Sequence, residues 1–429
     1  MPPRSSKPGR VAIVSGLRSP FARSWSTLAD VDPIQLSTQV AREVLFRSEV
    51  APEDLDHIVW GTVVCVTHAP NVGREVALDL GLYRTPAFTV SRACATGFEA
   101  VASGARLIMN GEADTVLTGG VDVTSAAPVP YRKDVIDKLQ ALQKAKGFSA
   151  VTTLAQVNPL DLVPAPPTVS ERYTGKTMGA HAEEMAVHFD ISRQAQDAFA
   201  LSSHQKAARA IEAGHTTAQI APALAPRGYV REDNIVRKTM AAEKLASLKP
   251  VFSKPHGTIT AATSSALSDG ASSVLLMSER KVKELGITPL GWLRSWDFPA
   301  LDPRENMLLG NVYSMPFALQ KAGLTMADID LFEVHEAFAA QVLSNLRCLE
   351  DDAWCRDTLH LDRAPGAIPP DKLNVWGGSL AYGHPFAATG GRLLINVLHA
   401  LQHTDGSLGL VTACAAGGLG AAMVVERAA

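Results

Sequence analysis

Apolar positions along the chain alternate between short continuous runs and stretches with a helical period. Val11 to Val14, Ile58 to Trp60, Phe88 to Val90, Asp114 to Thr118, Leu408 to Ala413 and Met423 to Val425 are short runs bounded by turn residues, and each predicts a strand. Helices are predicted over Pro33 to Phe46, with Leu36, Val40 and Val44 on one face, and over Val72 to Leu80, ended by Gly81. Phe98, Val101, Ala102, Ala105, Ile108 and Met109 form one buried stripe, and Leu394, Val397, Leu398 and Leu401 form another. Strands alternating with helices predict α/β layers.

The pattern repeats. Ser103 to Asn110 (SGARLIMN) resembles Thr389 to Asn396 (TGGRLLIN), and Gly270 to Ser278 (GASSVLLMS) is echoed by Gly420 to Glu426 (GAAMVVE). Repeats this far apart predict two similar α/β domains instead of a solenoid; chance similarity between Gly/Ala-rich helices is the competing reading. If the halves pack about a pseudo-twofold, the helices after Cys94 and His384 meet near the centre. The expected division is 1–130 with 255–290, an insert over 131–254, and 291–429. Within the insert, Tyr131 to Phe148 reads as a basic amphipathic helix with Val135, Leu139 and Leu142 on one side. It is either a surface helix on its own domain or a contact for a partner subunit or an anionic membrane. A loop containing Pro159, Pro164, Pro166 and Pro167 follows, then two helices, the second starting at Ser192 and stopping at Gly214.

Bulk composition removes several classes of function. With 46% hydrophobic and 19% charged residues over 429 positions, the chain is a well-packed multi-domain protein with no disordered character. A net charge of −3 gives no reason to expect nucleic acid, and no apolar run reaches membrane-spanning length. The opening MPPRSSKPGR lacks the apolar core of a secretion signal and is short for an import peptide. Five scattered cysteines make no disulfide framework, and Cys348 and Cys355 lack a second ligand pair at zinc spacing, so no metal is expected. A cytoplasmic location fits best.

Three residues are delivered on turns suited to chemistry. His384 lies in a Gly-His-Pro turn ahead of a helix, and Cys414 ends a strand and runs into Ala-Ala-Gly-Gly. Cys94 falls between a strand and the first turn of a buried helix, where free amides and the helix dipole lower a thiol pKa. Each of the three also has a structural reading, as an ordinary turn or a small buried cysteine. The run GGLGAA leads into a strand, so it lacks the strand-turn-helix context of a dinucleotide-binding loop.

SRACATGFEAV around Cys94, MGAHAEEMA and ISRQAQDAFALSSHQKA in the insert, HEAFAAQ around His335, GGSLAYGHPFAATGGR around His384 and TACAAGG around Cys414 resemble the thiolases over essentially the full length. The resemblance implies two βαβαβαββ domains in a five-layer αβαβα sandwich, with a loop domain inserted in the first. It implies Cys94 as nucleophile, His384 as its base and Cys414 as the acid and base of the second stage. One oxyanion hole would be formed by His384 with a water held by His335, and a second by the amides of Cys94 and Ala416. Coenzyme A is then a co-substrate with no permanently bound cofactor, and Met178, Ser265, Ala266 and Phe338 are expected to contact CoA or substrate. A homodimer or dimer of dimers is implied.

Three positions depart from the family pattern. His335 stands where most thiolases have Asn, so protonation is expected to tune it. Cys-Ala-Ala replaces Cys-x-Gly, which is tolerable if Ala416 has a negative φ. Thr263 to Ala271 carries Ser265 in a weaker match to the pantetheine-binding stretch. His335 and the basic insert are similar to the thiolase (β) subunit of the fatty-acid oxidation trifunctional complex, implying a hydratase/dehydrogenase α subunit as partner and possible peripheral membrane contact through 131–148. A β-ketoacyl synthase, on the same fold, lacks the second reactive cysteine. Biosynthetic acetoacetyl-CoA formation runs the same chemistry backwards and uses the same residues. The intact set of Cys94, His335, His384 and Cys414 argues against a silent assembly subunit.

Overall fold

The computed structural model describes residues 9–146, 152, 163 and 170–428. The basic opening residues and most of the proline-rich loop lie outside them. The main strands are β1 (Val11–Arg18), β2 (His57–Gly61), β3 (Ala87–Val90), β4 (Thr115–Val123), β5 (Ser268–Ser278), β6 (Gly291–Asp297), β7 (Leu331–Val334), β8 (Leu408–Ala415) and β9 (Leu419–Arg427). The main helices are α1 (Pro33–Ser48), α2 (Val72–Asp79), α3 (Thr96–Met109), α4 (Lys133–Lys144), α5 (Met178–His188), α6 (Arg193–Glu212), α7 (Gly310–Ala322), α8 (Ala339–Leu349) and α9 (Phe386–Thr404).

The strands run β7-β8-β9-β6-β1-β5-β4-β2-β3. From β1 outward the pairings are antiparallel to β5, antiparallel to β4, then parallel to β2 and to β3. From β6 outward the same series appears, antiparallel to β9 and β8, then parallel to β7. The fifth strand of this half shrinks to one parallel bridge between Phe332 and Leu373. The two echoed sequences thus occupy equivalent places, β5 with β9 and α3 with α9. The halves join where Val11, Ala12 and Ile13 pair with Leu293, Trp292 and Gly291.

Three cores define five layers. Leu36, Val40 and Val44 of α1 pack with Val76 of α2 on Trp60, Leu117 and Leu275. Phe98 and Val101 of α3 and Leu394, Val397 and Leu398 of α9 fill the middle against Val274, Val411 and Met423. Val312, Met315 and Leu319 of α7 and Val342 of α8 cover Val334, Leu410 and Val424. Neighbouring residues such as Val274 and Leu275, or Met423 and Val424, face different cores, which is why these strands read as unbroken apolar runs.

Local signals place the helix starts. Asp32 caps α1 through Ile34 N and Gln35 N, with Pro33 in the first turn, and Ser192 caps α6 through Ala195 N. The two central helices differ: α3 and α9 begin after Ala95 and Pro385 without a side-chain cap from their own flanking residue. In the insert, α4 is shorter than the predicted Tyr131–Phe148. Val135 is buried while Leu139 and Leu142 are half-buried, and residues 147 and 148 lie outside the described set. Among the described residues no helix is long and apolar enough to cross a membrane.

Candidate active site

Cys94 sits on a constrained turn. Ala93 has φ +46°, unusual for a residue with a Cβ, and Thr96 Oγ1 locks the turn by accepting from Arg92 N at 2.7 Å and donating to Ala93 O at 2.6 Å. The amides of Cys94 and Ala416 both act on the thiol, so the residue that follows β8 in one half reaches the turn of the other. Ala416 is not among the residues with positive φ, as its amide role requires. Cys414, on β8, is 1% exposed and interacts with Cys94.

His384 follows Gly383, whose φ of +89° admits no ordinary side chain. Its amide donates to Ala266 O at 3.2 Å and Ser268 Oγ at 3.1 Å, and its Nδ1 faces Thr389 Oγ1 at 2.6 Å. His335 leaves the end of β7, held by its amide to Thr412 O at 2.9 Å, with Nδ1 2.8 Å from Ser379 Oγ. The two imidazoles touch, ring centroids 4.0 Å apart. Each Nε2 is buried without a hydrogen-bond partner among the described residues. Buried polar atoms are normally satisfied, so an unpartnered nitrogen on each of two touching rings suits a ligand oxygen or a proton.

Burial governs the protonation states. It pushes the Cys94 thiol up to about 11, against the Ala416 and Cys94 amides that pull it down, with the Asp122 carboxylate adding to the rise. The lowered thiol pKa expected from the helix start is therefore corrected: loss of water outweighs the two backbone amides that act on the thiol. Burial likewise raises Cys414 and drops His384 to about 3, helped by the Arg392 cation. His335 lies well below the ordinary imidazole range through burial, with His384 and Arg392 contributing. Protonation therefore does not tune His335 near neutrality, contrary to expectation. The resting site holds two neutral imidazoles and two neutral thiols.

Several neighbours of these residues are given no role by the sequence reading. Asp122 is buried at the end of β4 and accepts from Val63 N at 2.9 Å, Val64 N at 2.7 Å and Ala387 N at 2.7 Å. It supplies the missing cap of α9 from the other half of the molecule. Burial holds its carboxyl up at about 6. Glu336 accepts from Ser203 Oγ at 2.7 Å, Asn374 Nδ2 at 2.7 Å and Leu380 N at 3.1 Å, tying the His335 turn to α6 and to the segment before His384. Arg392 donates to Ser379 Oγ at 2.9 Å and lies 3.9 Å from Glu333. Asp122 stands close to the quoted segments and Arg392 closes one of them, but nothing in one sequence separates a buried cap from a surface charge.

The four expected substrate contacts border the same region. Ser265 N donates to Ala337 O at 2.9 Å, Ser264 bridges Phe338, and Ala266 O holds the His384 amide. Phe338 packs edge-on to Phe252, ring centroids 6.1 Å apart. Met178 opens α5 beside Gly179, which lies against the Phe252 ring. Cys348 and Cys355 are buried elsewhere, with Cys355 Sγ donating to Cys348 O at 3.1 Å.

Residues 11–280 match the family model for the thiolase N-terminal domain, and residues 287–427 match that for the thiolase C-terminal domain. The chain belongs to the thiolase family. This thiolase is 47% identical to a 3-ketoacyl-CoA thiolase of Klebsiella pneumoniae (strain 342) over 421 residues, covering 97% of each chain. The crystal structure of human mitochondrial 3-ketoacyl-CoA thiolase is similar at a TM-score of 0.83 and 30% identity, covering 99% of this chain and 100% of the other. A Bacillus anthracis acetyl-CoA acetyltransferase structure has the same TM-score, identity and coverage.

Proposed function

We propose that this thiolase is an acyltransferase that cleaves 3-ketoacyl-CoA with coenzyme A, giving acetyl-CoA and an acyl-CoA two carbons shorter, in fatty-acid β-oxidation. The observation that carries this reading is the approach of Cys94 and Cys414 from the two halves, in a molecule where the helix after Cys94 crosses the helix after His384 and the His384 and His335 rings touch. With Cys94 protonated at rest, attack and proton transfer are coupled: its S–H proton passes to His384 Nε2 as sulfur bonds to the 3-keto carbon. The amides of Cys94 and Ala416 receive the oxyanion that forms there. The C2–C3 electrons then leave as the acetyl-CoA enolate, whose oxygen meets His384, now Nε2–H, and a water held by His335. Cys414 gives its proton to C2 and becomes a thiolate. That thiolate takes the proton of incoming CoA, whose sulfur displaces the acyl group from Cys94, and His384 returns its proton to Cys94.

Met178, Ser265, Ala266 and Phe338 would flank the pantetheine and the reacting carbons. The free cysteines fit a reducing cytoplasm. A homodimer or dimer of dimers and an α subunit with hydratase/dehydrogenase activity are the proposed partners, with exposed Tyr131 and Ile136 around α4 as a docking or membrane-surface face. The domain division proposed is 1–130 with 255–290, 131–254, and 291–429.

Similarity to the Bacillus anthracis acetyl-CoA acetyltransferase supports a second reading, condensation of acetyl-CoA to acetoacetyl-CoA by the reverse reaction. CoA-dependent cleavage of a long-chain 3-ketoacyl-CoA, measured beside acetoacetyl-CoA, separates the two. Preference for the long chain supports the degradative reading, and preference for the four-carbon substrate overturns it.

A further inference from the structure

The two site imidazoles have different hydroxyl partners. Ser379 Oγ, fully buried, has two: it receives a hydrogen bond from Arg392 at 2.9 Å and meets His335 Nδ1 at 2.8 Å. A guanidinium only donates, so among the described residues the hydroxyl hydrogen of Ser379 has one acceptor within reach, His335 Nδ1. Were Nδ1 to carry the ring proton instead, that hydrogen would be buried without an acceptor, a costly state. Thr389 Oγ1, beside His384, is less constrained. Its hydrogen can turn to Pro385 O at 3.4 Å, leaving the oxygen free to accept from His384 Nδ1 at 2.6 Å.

We infer that Ser379, backed by Arg392, is a positioning residue that holds His335 as the Nε2–H tautomer. His335 then presents a permanent donor beside the basic Nε2 of His384. Two imidazoles in contact are thereby given opposite tasks, one proton always pointing into the site and one lone pair waiting there. The catalytic part of this inference rests on the thiolase reading above; the tautomer itself does not.

Nitrogen NMR of the full-length protein labelled at histidine tests it, with the His335 signals assigned by their loss in His335→Asn. The expected result is a neutral ring protonated at Nε2. A His335 ring protonated at Nδ1 overturns the inference whatever the activity. Turnover supplies the second test. Ser379→Ala is expected to lower kcat for 3-ketoacyl-CoA cleavage about tenfold to a hundredfold with KM within about twofold, the scale of a weakened oxyanion donor. In a His335→Asn background, where an amide donates without a tautomer, the same change is expected to cost less than about threefold. An equal loss in both backgrounds shows that Ser379 acts otherwise and overturns the positioning role. If wild type cleaves no 3-ketoacyl-CoA, the functional reading fails while the NMR result still decides the tautomer.

Discussion

Gly97 and Gly390 face each other where α3 crosses α9, so close that a Cβ on Gly97 would lie 3.0 Å from Gly390 Cα and 2.7 Å from Ala387 O. This crossing brings together the helices that follow the Cys94 turn and the His384 turn. Backbone on both sides leaves little room to relax, so Gly97→Ala and Gly390→Ala are each expected to destabilise the protein by about 1–3 kcal/mol. Urea unfolding midpoints check this. A midpoint unchanged from wild type in both variants would mean that the crossing is looser than the geometry states.

Cys414 is assigned to the second stage of the reaction, which gives its removal a particular signature. Cys414→Ala is expected to leave an acyl group on Cys94 detectable by mass spectrometry after exposure to substrate. Overall transfer to CoA should fall at least about a thousandfold, as for loss of a catalytic acid-base group. Full turnover in the variant would return Cys414 to a structural role.

The neutral resting site predicts how the free thiol responds to pH. With Cys94 pushed up to about 11 by burial, thiolate is a small minority at pH 7, and its fraction rises about tenfold per pH unit below that value. Alkylation of Cys94 by iodoacetamide should therefore accelerate steadily from pH 6.5 to 9 with no plateau. His384, dropped to about 3, stays neutral throughout and contributes no step near 6.5. A plateau below pH 8 would reveal a thiolate-imidazolium pair and contradict the coupled proton transfer.

Much of the fold was legible because both its signals are local. The apolar runs of β1, β5, β8 and β9 mark strands covered on two faces, and the stripes of α3 and α9 mark helices buried in a central layer. Ser192 announced a helix start by residue type alone. The shrinking of the fifth strand to the Phe332–Leu373 bridge was not legible, since it depends on how the 363–373 segment passes β7. The positions of Cys94, His335, His384 and Cys414 were readable as motifs, yet their charge states were not. A helix start lowers a thiol pKa and burial raises it; only the packed structure says which dominates. Ser379 and Arg392 lie within the quoted segment around His384, yet their contacts, like those of Asp122, were hidden for the same reason: their partners lie more than ten residues away in the chain or on the other half.

The most direct test is to expose the purified protein to a 3-ketoacyl-CoA without free CoA, and to follow protein mass and acetyl-CoA release together. We expect one acyl group per chain, mapped to the peptide containing Cys94, with a matching release of acetyl-CoA and loss of the adduct when CoA is added. Cys94→Ser should form no thioester while still binding CoA by calorimetry. Acetyl-CoA release with no adduct on Cys94, or an adduct formed equally well in the Cys94→Ser protein, would contradict the proposed nucleophile and with it the route of cleavage.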